Sequence, residues 1–374
     1  MKRFAKFGLT LLFTAAVAAL LLLAKPIAES VRGGIDICLK VLIPSLFAFM
    51  VLADFSVKTG MLELLLRPFG WLCGKLFRID RSLGPVVLMS LIGGYPVGAK
   101  LLTDLVLEGR MERRDAERML CFCVNSGPAF VIGSVAVPLF GDTKLGFLIF
   151  ASHLTAFFAV GILSGFGKPS FSLPLERETP PYSTALVNSV ASATRAMVNI
   201  CSFVLVFSAL IGLLRLTGVL GALGTFLGSF LPRPVAEALL IGILEVTNGT
   251  NACAGISGIG ALLAATALTA FGGLCVQMQV TAIVSRAKLS MKMFYKFRLL
   301  YTAVSTLTAW GLLQLFEVPV STMATPGGIP AHLFSFSPLS SLFLLILCIL
   351  LLCTARKSVT IECKPKTRRK YVGK

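Results

Sequence analysis

The sequence predicts an all-α polytopic membrane protein made of two inverted-topology repeats. Each repeat has three transmembrane helices and one re-entrant helical hairpin, and further helices flank the pair at the N- and C-terminal ends. Three observations lead to this. First, 56% of the 374 residues are hydrophobic and the mean hydropathy is +0.87, as in polytopic membrane proteins and unlike soluble enzymes. Second, the apolar run Ser82 to Ile92 stops after 11 residues at Gly93-Gly94-Tyr95-Pro96. A helix of that length rises about 16 Å, against about 30 Å of hydrocarbon. It ends in mid-bilayer, where broken backbone must be buried in protein or line a polar cavity. A matching break, Ile243 to Asn251, interrupts the second half. Paired breaks of this kind point to a midplane binding site. Third, the loops alternate in charge. Those around Arg78 and Arg113, the segment Arg286 to Arg298 with its five basic residues, and the tail from Arg356 are basic and hence cytoplasmic. The loop around Asp142 is nearly uncharged and Val318 to Ser337 has no Lys or Arg, hence external. Equivalent loops fall on opposite sides, giving eight crossings with both termini in the cytoplasm.

In order, residues 1–30 read as an N-terminal anchor helix, about Phe7 to Ala24, followed by a loop at Pro26, Arg32 and Gly33-Gly34. The first repeat, 31–166, opens with a helix from Ile35 to Phe55 kinked at Pro44. An interfacial piece follows, Met61 to Phe77. Next come the broken segment and its return limb Val97 to Glu108, which carries Lys100, Asp104 and Glu108 at i, i+4 spacing. A helix from Met119 to Phe140 contains Asn125-Ser126-Gly127-Pro128, and one from Leu145 to Phe166 holds His153. Residues 167–183 are a linker rich in Pro, Ser and charge.

The second repeat, 184–316, starts with a long helix from Thr184 to Leu214 and a Gly/Pro-rich interfacial piece, Gly218 to Pro234. The limb Val235 to Val246, a turn Thr247 to Asn251 and a small-residue return limb Ala252 to Ala270 come next. Phe271 to Ser285, the basic loop and a span ending near Phe316 complete it. Residues 317–355 give an external loop and a last transmembrane helix, Leu339 to Cys353, and 356–374 form a basic cytoplasmic tail. Setting Phe77 on Phe230 places Tyr95 opposite Asn248 and Pro96 opposite Gly249; a second register, five residues away, places Thr59-Gly60 on Thr217-Gly218, and Ser126-Gly127 falls on Gly272-Gly273.

Glu245 is the sharpest candidate. A carboxylate at the end of an apolar half-helix costs at least about 2.5 kcal/mol near mid-bilayer, so it pairs, protonates or binds a cation. An ion pair with Arg195 is the structural alternative. Gly93, Gly94 and Tyr95 make the first break, and Thr247, Asn248 and Asn251 surround the second. Freed carbonyls and half-helix ends there suit a cation or an anion, or these groups cap their own turn, since Asn-Gly is a turn former. Asn125 and Ser126 re-satisfy a helix kinked at Pro128 and join the site if the kink faces the first break. Gln277 joins the site or bonds across helices. Lys100 with Asp104 reads as a structural pair, and His153 as a packed residue or a proton carrier.

No nucleophile–base–orienter set, Walker loop or dinucleotide fingerprint occurs, so no enzyme and no cofactor are expected. The ten cysteines are scattered, Cys121-Phe122-Cys123 lacks zinc spacing and only two His exist, so no metal site is expected. The net charge of +18 lies in short loops and tails beside apolar spans, which makes the lipid bilayer and not nucleic acid the partner. A small polar solute or cation is the expected ligand.

The segments Gly93-Gly-Tyr-Pro-Val-Gly-Ala-Lys100, Asn125-Ser-Gly-Pro128 and Glu245-Val-Thr-Asn-Gly249 stand in the order found in a known family. Over roughly residues 5–355 the chain resembles the YlbJ family of sporulation integral membrane proteins from endospore-forming Gram-positive bacteria, within the nucleoside-recognition (Gate) domain group. Ala129-Phe130-Val131 after Pro128 departs from the bulkier residue of that family and bears on pocket shape. The resemblance implies a membrane protein of the sporangium, in the mother-cell or forespore membrane, needed for maturation of the spore envelope or cortex. Gate domains are similar to concentrative nucleoside transporters, which carry two re-entrant hairpins in inverted repeats. The function expected is transporter-like, moving or sensing a small polar, nucleoside-like solute. The alternative is a non-transporting scaffold that recruits sporulation partners, other membrane proteins or a second copy of itself, through its basic cytoplasmic segments.

Overall fold

The computed structural model describes residues 21–61, 66–167, 180–254, 256 and 258–315, with scattered positions between 7 and 19. The expected last transmembrane helix, the external loop before it, the basic tail, most of the linker and most of the anchor helix lie outside the described residues. Within them the chain is helical without strands, as the composition requires.

The first two helices, α1 (Ala24–Ile37) and α2 (Ile43–Thr59), are joined by a π-helical turn, Cys38–Leu42. The expected kink lies here, and the two limbs bend by 52°. Pro44 has no N–H and its ring crowds the carbonyl four residues back, so the preceding turn widens and Ile43 N–H bonds Cys38 O. The same chemistry recurs before Pro138, where a π segment (Ala129–Ala136) leads into the short helix Val137–Phe140 and Val137 N–H bonds Ile132 O. Gly33 and Gly34 are helical and do not form the expected loop. A Cβ on Gly34 would lie 2.6 Å from Ser208 Oγ, so glycine serves close helix contact here and not a turn.

Next comes α3 (Arg67–Phe77), with Trp71 and Leu72 exposed and Cys73 and Phe77 buried. A helical hairpin follows, α4 (Gly84–Gly93) and α5 (Tyr95–Leu107), turning at Gly94 with φ 81. A Cβ on Gly98 would lie 2.9 Å from Ser90 Cβ, which shows the limbs folded back on each other. The expected helix Met119 to Phe140 is instead broken: α6 (Arg113–Cys123), non-helical backbone from Val124 to Gly127, the π segment and α7 (Val137–Phe140). The half closes with α8 (Thr143–Gly165).

The long α9 (Tyr182–Leu216) packs on α1 and α2. After α10 (Val219–Leu227) a second hairpin forms from α11 (Arg233–Leu244) and α12 (Val246–Cys253). A Cβ on Gly249 would lie 2.1 Å from Gly242 Cα, so these limbs are also apposed. This corrects two expectations. Thr247 to Asn251 is the first part of a helix and not a turn, and the return limb is Val246–Cys253 and not Ala252 to Ala270. The Asn-Gly turn propensity is overridden because Glu245 caps the helix that contains it. Then come α13 (Ile259–Phe271), α14 (Gly273–Val284) and α15 (Lys292–Leu315).

A short helix, a hairpin, an interrupted helix and a long helix thus occur twice, as α3 to α8 and as α10 to α15. The two closing helices, α8 and α15, pack on each other and join the halves. Thr143–Gly165, Tyr182–Leu216 and the run Ile259–Ala287 are long and apolar enough to cross a membrane, and the bent α1–α2 pair makes a fourth. α9 exposes Val187, Val198 and Val206, an outer face suited to lipid. The chain is a multi-pass membrane protein.

Candidate functional site

The two hairpin tips line one cavity. Gly94, Tyr95, Glu245, Thr247 and Gln279 meet there, closed by apolar side chains from α2 and α9. Its volume is about 30 Å³, close to one water's share of the liquid and far below the roughly 300 Å³ of a small ligand pocket. As it stands the space is too narrow for such a ligand.

Glu245 is 1% exposed. Its backbone is extended, so the carboxylate turns back over the start of α12. Oε1 accepts from Thr247 N–H at 2.9 Å, and Oε2 accepts from Asn248 N–H at 2.7 Å and from Asn248 Nδ2 at 2.8 Å. Both carboxylate oxygens are thus satisfied by the first turn of the helix they cap. The alternative ion pair with Arg195 is absent. Arg195 is exposed and its Nε donates to Ala191 O at 3.3 Å. Asn251 is exposed in the last turn of α12, away from the cavity.

Tyr95 ties the first tip to the second half. Its hydroxyl donates to Thr269 O, and Ser126 Oγ lies 2.7 Å from the same carbonyl and 2.5 Å from Tyr95 Oη. Thr269 Oγ1 is 3.1 Å from His153 Nε2, whose Nδ1 lies 3.3 Å from Ser305 Oγ. Tyr301 donates to His153 O at 3.0 Å and stacks on its ring. His153 is thus held inside a network joining both halves.

Gly93 is the last residue of α4, packed on Val97. Asn125 is buried beside the first break but outside the cavity lining; its Nδ2 donates to Phe122 O at 2.5 Å, while its Oδ1 is buried with no partner. Gln277 Nε2 points at Phe271 O, 3.5 Å away, so Gln279 and not Gln277 faces the cavity. Among the described residues no cluster of three His, Cys, Asp or Glu could hold a metal.

A second, wider cleft of about 850 Å³ runs along α2, α5, α9 and α14, which also contribute to the first. Lys58, Lys100, Asp104, Arg195, Asn199 and Arg286 line it. The expected Lys100–Asp104 pair forms at 2.8 Å, but Lys100 also bonds Asp54 of α2, which Lys58 approaches to 2.6 Å. Two residues sequence reasoning missed are Asp54, hidden in an apolar run, and Arg298, grouped with a basic loop. The aromatic residues at Phe294 and Tyr301, one turn to either side on α15, were the available sign that Arg298 faces inward.

No family model matches the chain, and no solved structure matches it. Among curated proteins, the sporulation integral membrane protein YlbJ of Bacillus subtilis (strain 168) is 28% identical over 320 residues, covering 75% of this chain and 77% of that protein.

Proposed function

We propose that the chain is a sporulation integral membrane protein of transporter type that moves or senses a small polar solute during maturation of the spore envelope. The sporulation role is carried over from the name of its Bacillus subtilis relative. The transport role rests on one observation above others: Gly94 and Glu245, the breaks of the two hairpins, line the same cavity. Helix interruptions that converge on one buried space are how membrane transporters build a binding site.

In this reading the two halves are inverted repeats, the hairpins are re-entrant, and the fold is of the nucleoside-recognition (Gate) type. The wide cleft is the cytoplasmic vestibule. It is bounded by the end of α5, before Arg110, Arg113 and Arg114, and by the end of α14, before Lys288 and Lys292, which the distribution of basic residues assigns to the cytoplasm. The central cavity is narrow, so a solute larger than a few waters enters only when the α2, α5, α9 and α14 lining parts. Glu245, Thr247 and Gln279 offer hydrogen bonds to it.

The test is an untargeted comparison of metabolites in forespore and mother cell, with and without the protein. The expected result is redistribution of one or a few polar solutes, reproduced by Glu245→Gln. Unchanged distributions, with Glu245→Gln silent and removal of Arg356 to Lys374 damaging, would replace transport by a scaffolding role.

A further inference from the structure

Both α6 and α13 end inside the protein, and each leaves carbonyls without intrahelical donors. Pro128 has no N–H to offer Val124 O, and at Gly272 the chain turns left-handed just beyond Ala270. Arg298 of α15 reaches both ends. Nη1 donates to Ala270 O at 3.0 Å and Nη2 to Val124 O at 2.5 Å. The guanidinium lies 4.7 Å from the Phe294 ring centre and 5.0 Å from that of Tyr301. The residue is 1% exposed, and among the described residues it forms no ion pair.

A buried arginine ordinarily needs a carboxylate partner. Here the counter-charge is supplied by two converging helix C-terminal ends, each equivalent to about half a negative charge. Unwound backbone carbonyls and half-helix C-terminal ends are also the groups with which transporters bind a coupling cation. We propose that Arg298 is a positioning residue that serves as the resident cation of the two broken helices, so that their convergence is organised without a bound sodium or potassium ion. It acts through its neighbours. Val124 lies two residues before Ser126, and Ala270 follows Thr269, whose carbonyl holds both Ser126 and Tyr95. Tyr95 in turn lines the central cavity. The assignment stands whether or not that cavity takes a transported solute.

The experiment measures thermal unfolding of the purified full-length protein in equal concentrations of sodium, potassium and choline chloride. The wild type is expected to unfold at the same temperature in all three. Arg298→Ala is expected to unfold earlier in choline and to regain part of the loss in sodium or potassium, because the vacated carbonyls then take an inorganic cation. Arg298→Lys, which keeps a charge in place, is expected to stay indifferent to the salt. Should Arg298→Ala fail to accumulate, Arg298→Gln takes its place with the same outcomes. A wild-type midpoint raised specifically by sodium or potassium would overturn the proposal. So would a neutral variant equally destabilised in all three salts, since a merely structural arginine would behave that way.

Discussion

The two hairpin tips make the same turn by different means. At Gly94 the backbone enters the left-handed region, φ 81, which only glycine adopts at low cost. The tip is then held from outside, through Tyr95 and Ser126 on Thr269 of the other half. At Glu245 the backbone is merely extended, φ −143 and ψ 120, and the tip is held from within, by its own carboxylate on Thr247 and Asn248. The first tip is a docking point without charge. The second carries a buried carboxyl group and closes itself. A solute or proton that competes for the Glu245 carboxylate would therefore loosen the second tip first.

Each hairpin has a glycine seated directly on backbone, of α6 for the first and of its own other limb for the second, and filling that contact should have the largest effect. A Cβ on Gly98 would lie 1.7 Å from Cys123 O, and one on Gly249 would lie 2.1 Å from Gly242 Cα. Overpacking of about 1–3 kcal/mol is usual when side chains can yield, and backbone yields less. Gly98→Ala and Gly249→Ala should each remove most of the folded protein from the membrane fraction. Normal abundance of Gly98→Ala would show that α5 does not press on the end of α6, and normal abundance of Gly249→Ala that the limbs of the second hairpin are not apposed.

The next effect separates the tips. Glu245→Ala strands the buried Thr247 N–H at about 1–3 kcal/mol and frees the half-buried Asn248 N–H, and should reduce abundance. Glu245→Gln keeps an acceptor oxygen and should insert normally while spore heat resistance is lost. Adding Arg195→Ala should rescue neither variant, because Arg195 touches Ala191 and not Glu245. Rescue in the double mutant would restore the ion-pair account.

At the first tip the effects should be smaller and coupled. Tyr95→Phe and Ser126→Ala each remove a hydrogen bond to one shared carbonyl, about 1 kcal/mol apiece. Groups that share a partner are not additive, so the double variant should lose less than the sum in thermal midpoint. Full additivity would mean that the two hydroxyls act apart. Smallest of all is Arg195→Ala alone, which should stay within about 0.5 kcal/mol of wild type as an exposed residue.

What the sequence made legible follows the range of the interactions involved. The first break was readable to within a residue because Gly-Gly-Tyr-Pro acts locally. The Pro44 kink was readable for the same reason. The second break was displaced because Asn248-Gly249 signals a turn, whereas a carboxylate three residues earlier caps a helix through them. Gly33-Gly34 looked like a loop because its contact with Ser208 lies far along the chain. Gln279 was not separable from Gln277 without knowing which helical face meets the cavity. Arg298 was lost among loop cations because burial, not residue type, sets it apart.

The central claim is that both tips bound one site reached from the cytoplasm. The direct measurement is labelling by a membrane-impermeant thiol reagent of Ser192→Cys, in the wide cleft, and Gln279→Cys, in the central cavity, after the native cysteines are replaced. Applied to the cytoplasmic face, the reagent should modify Ser192→Cys quickly and Gln279→Cys more slowly, with the slow reaction accelerated by Tyr95→Phe as the first tip loosens. A Gln279→Cys that stays unreactive from the cytoplasmic face while Ser192→Cys reacts, in the parent and in the Tyr95→Phe background alike, would contradict the account.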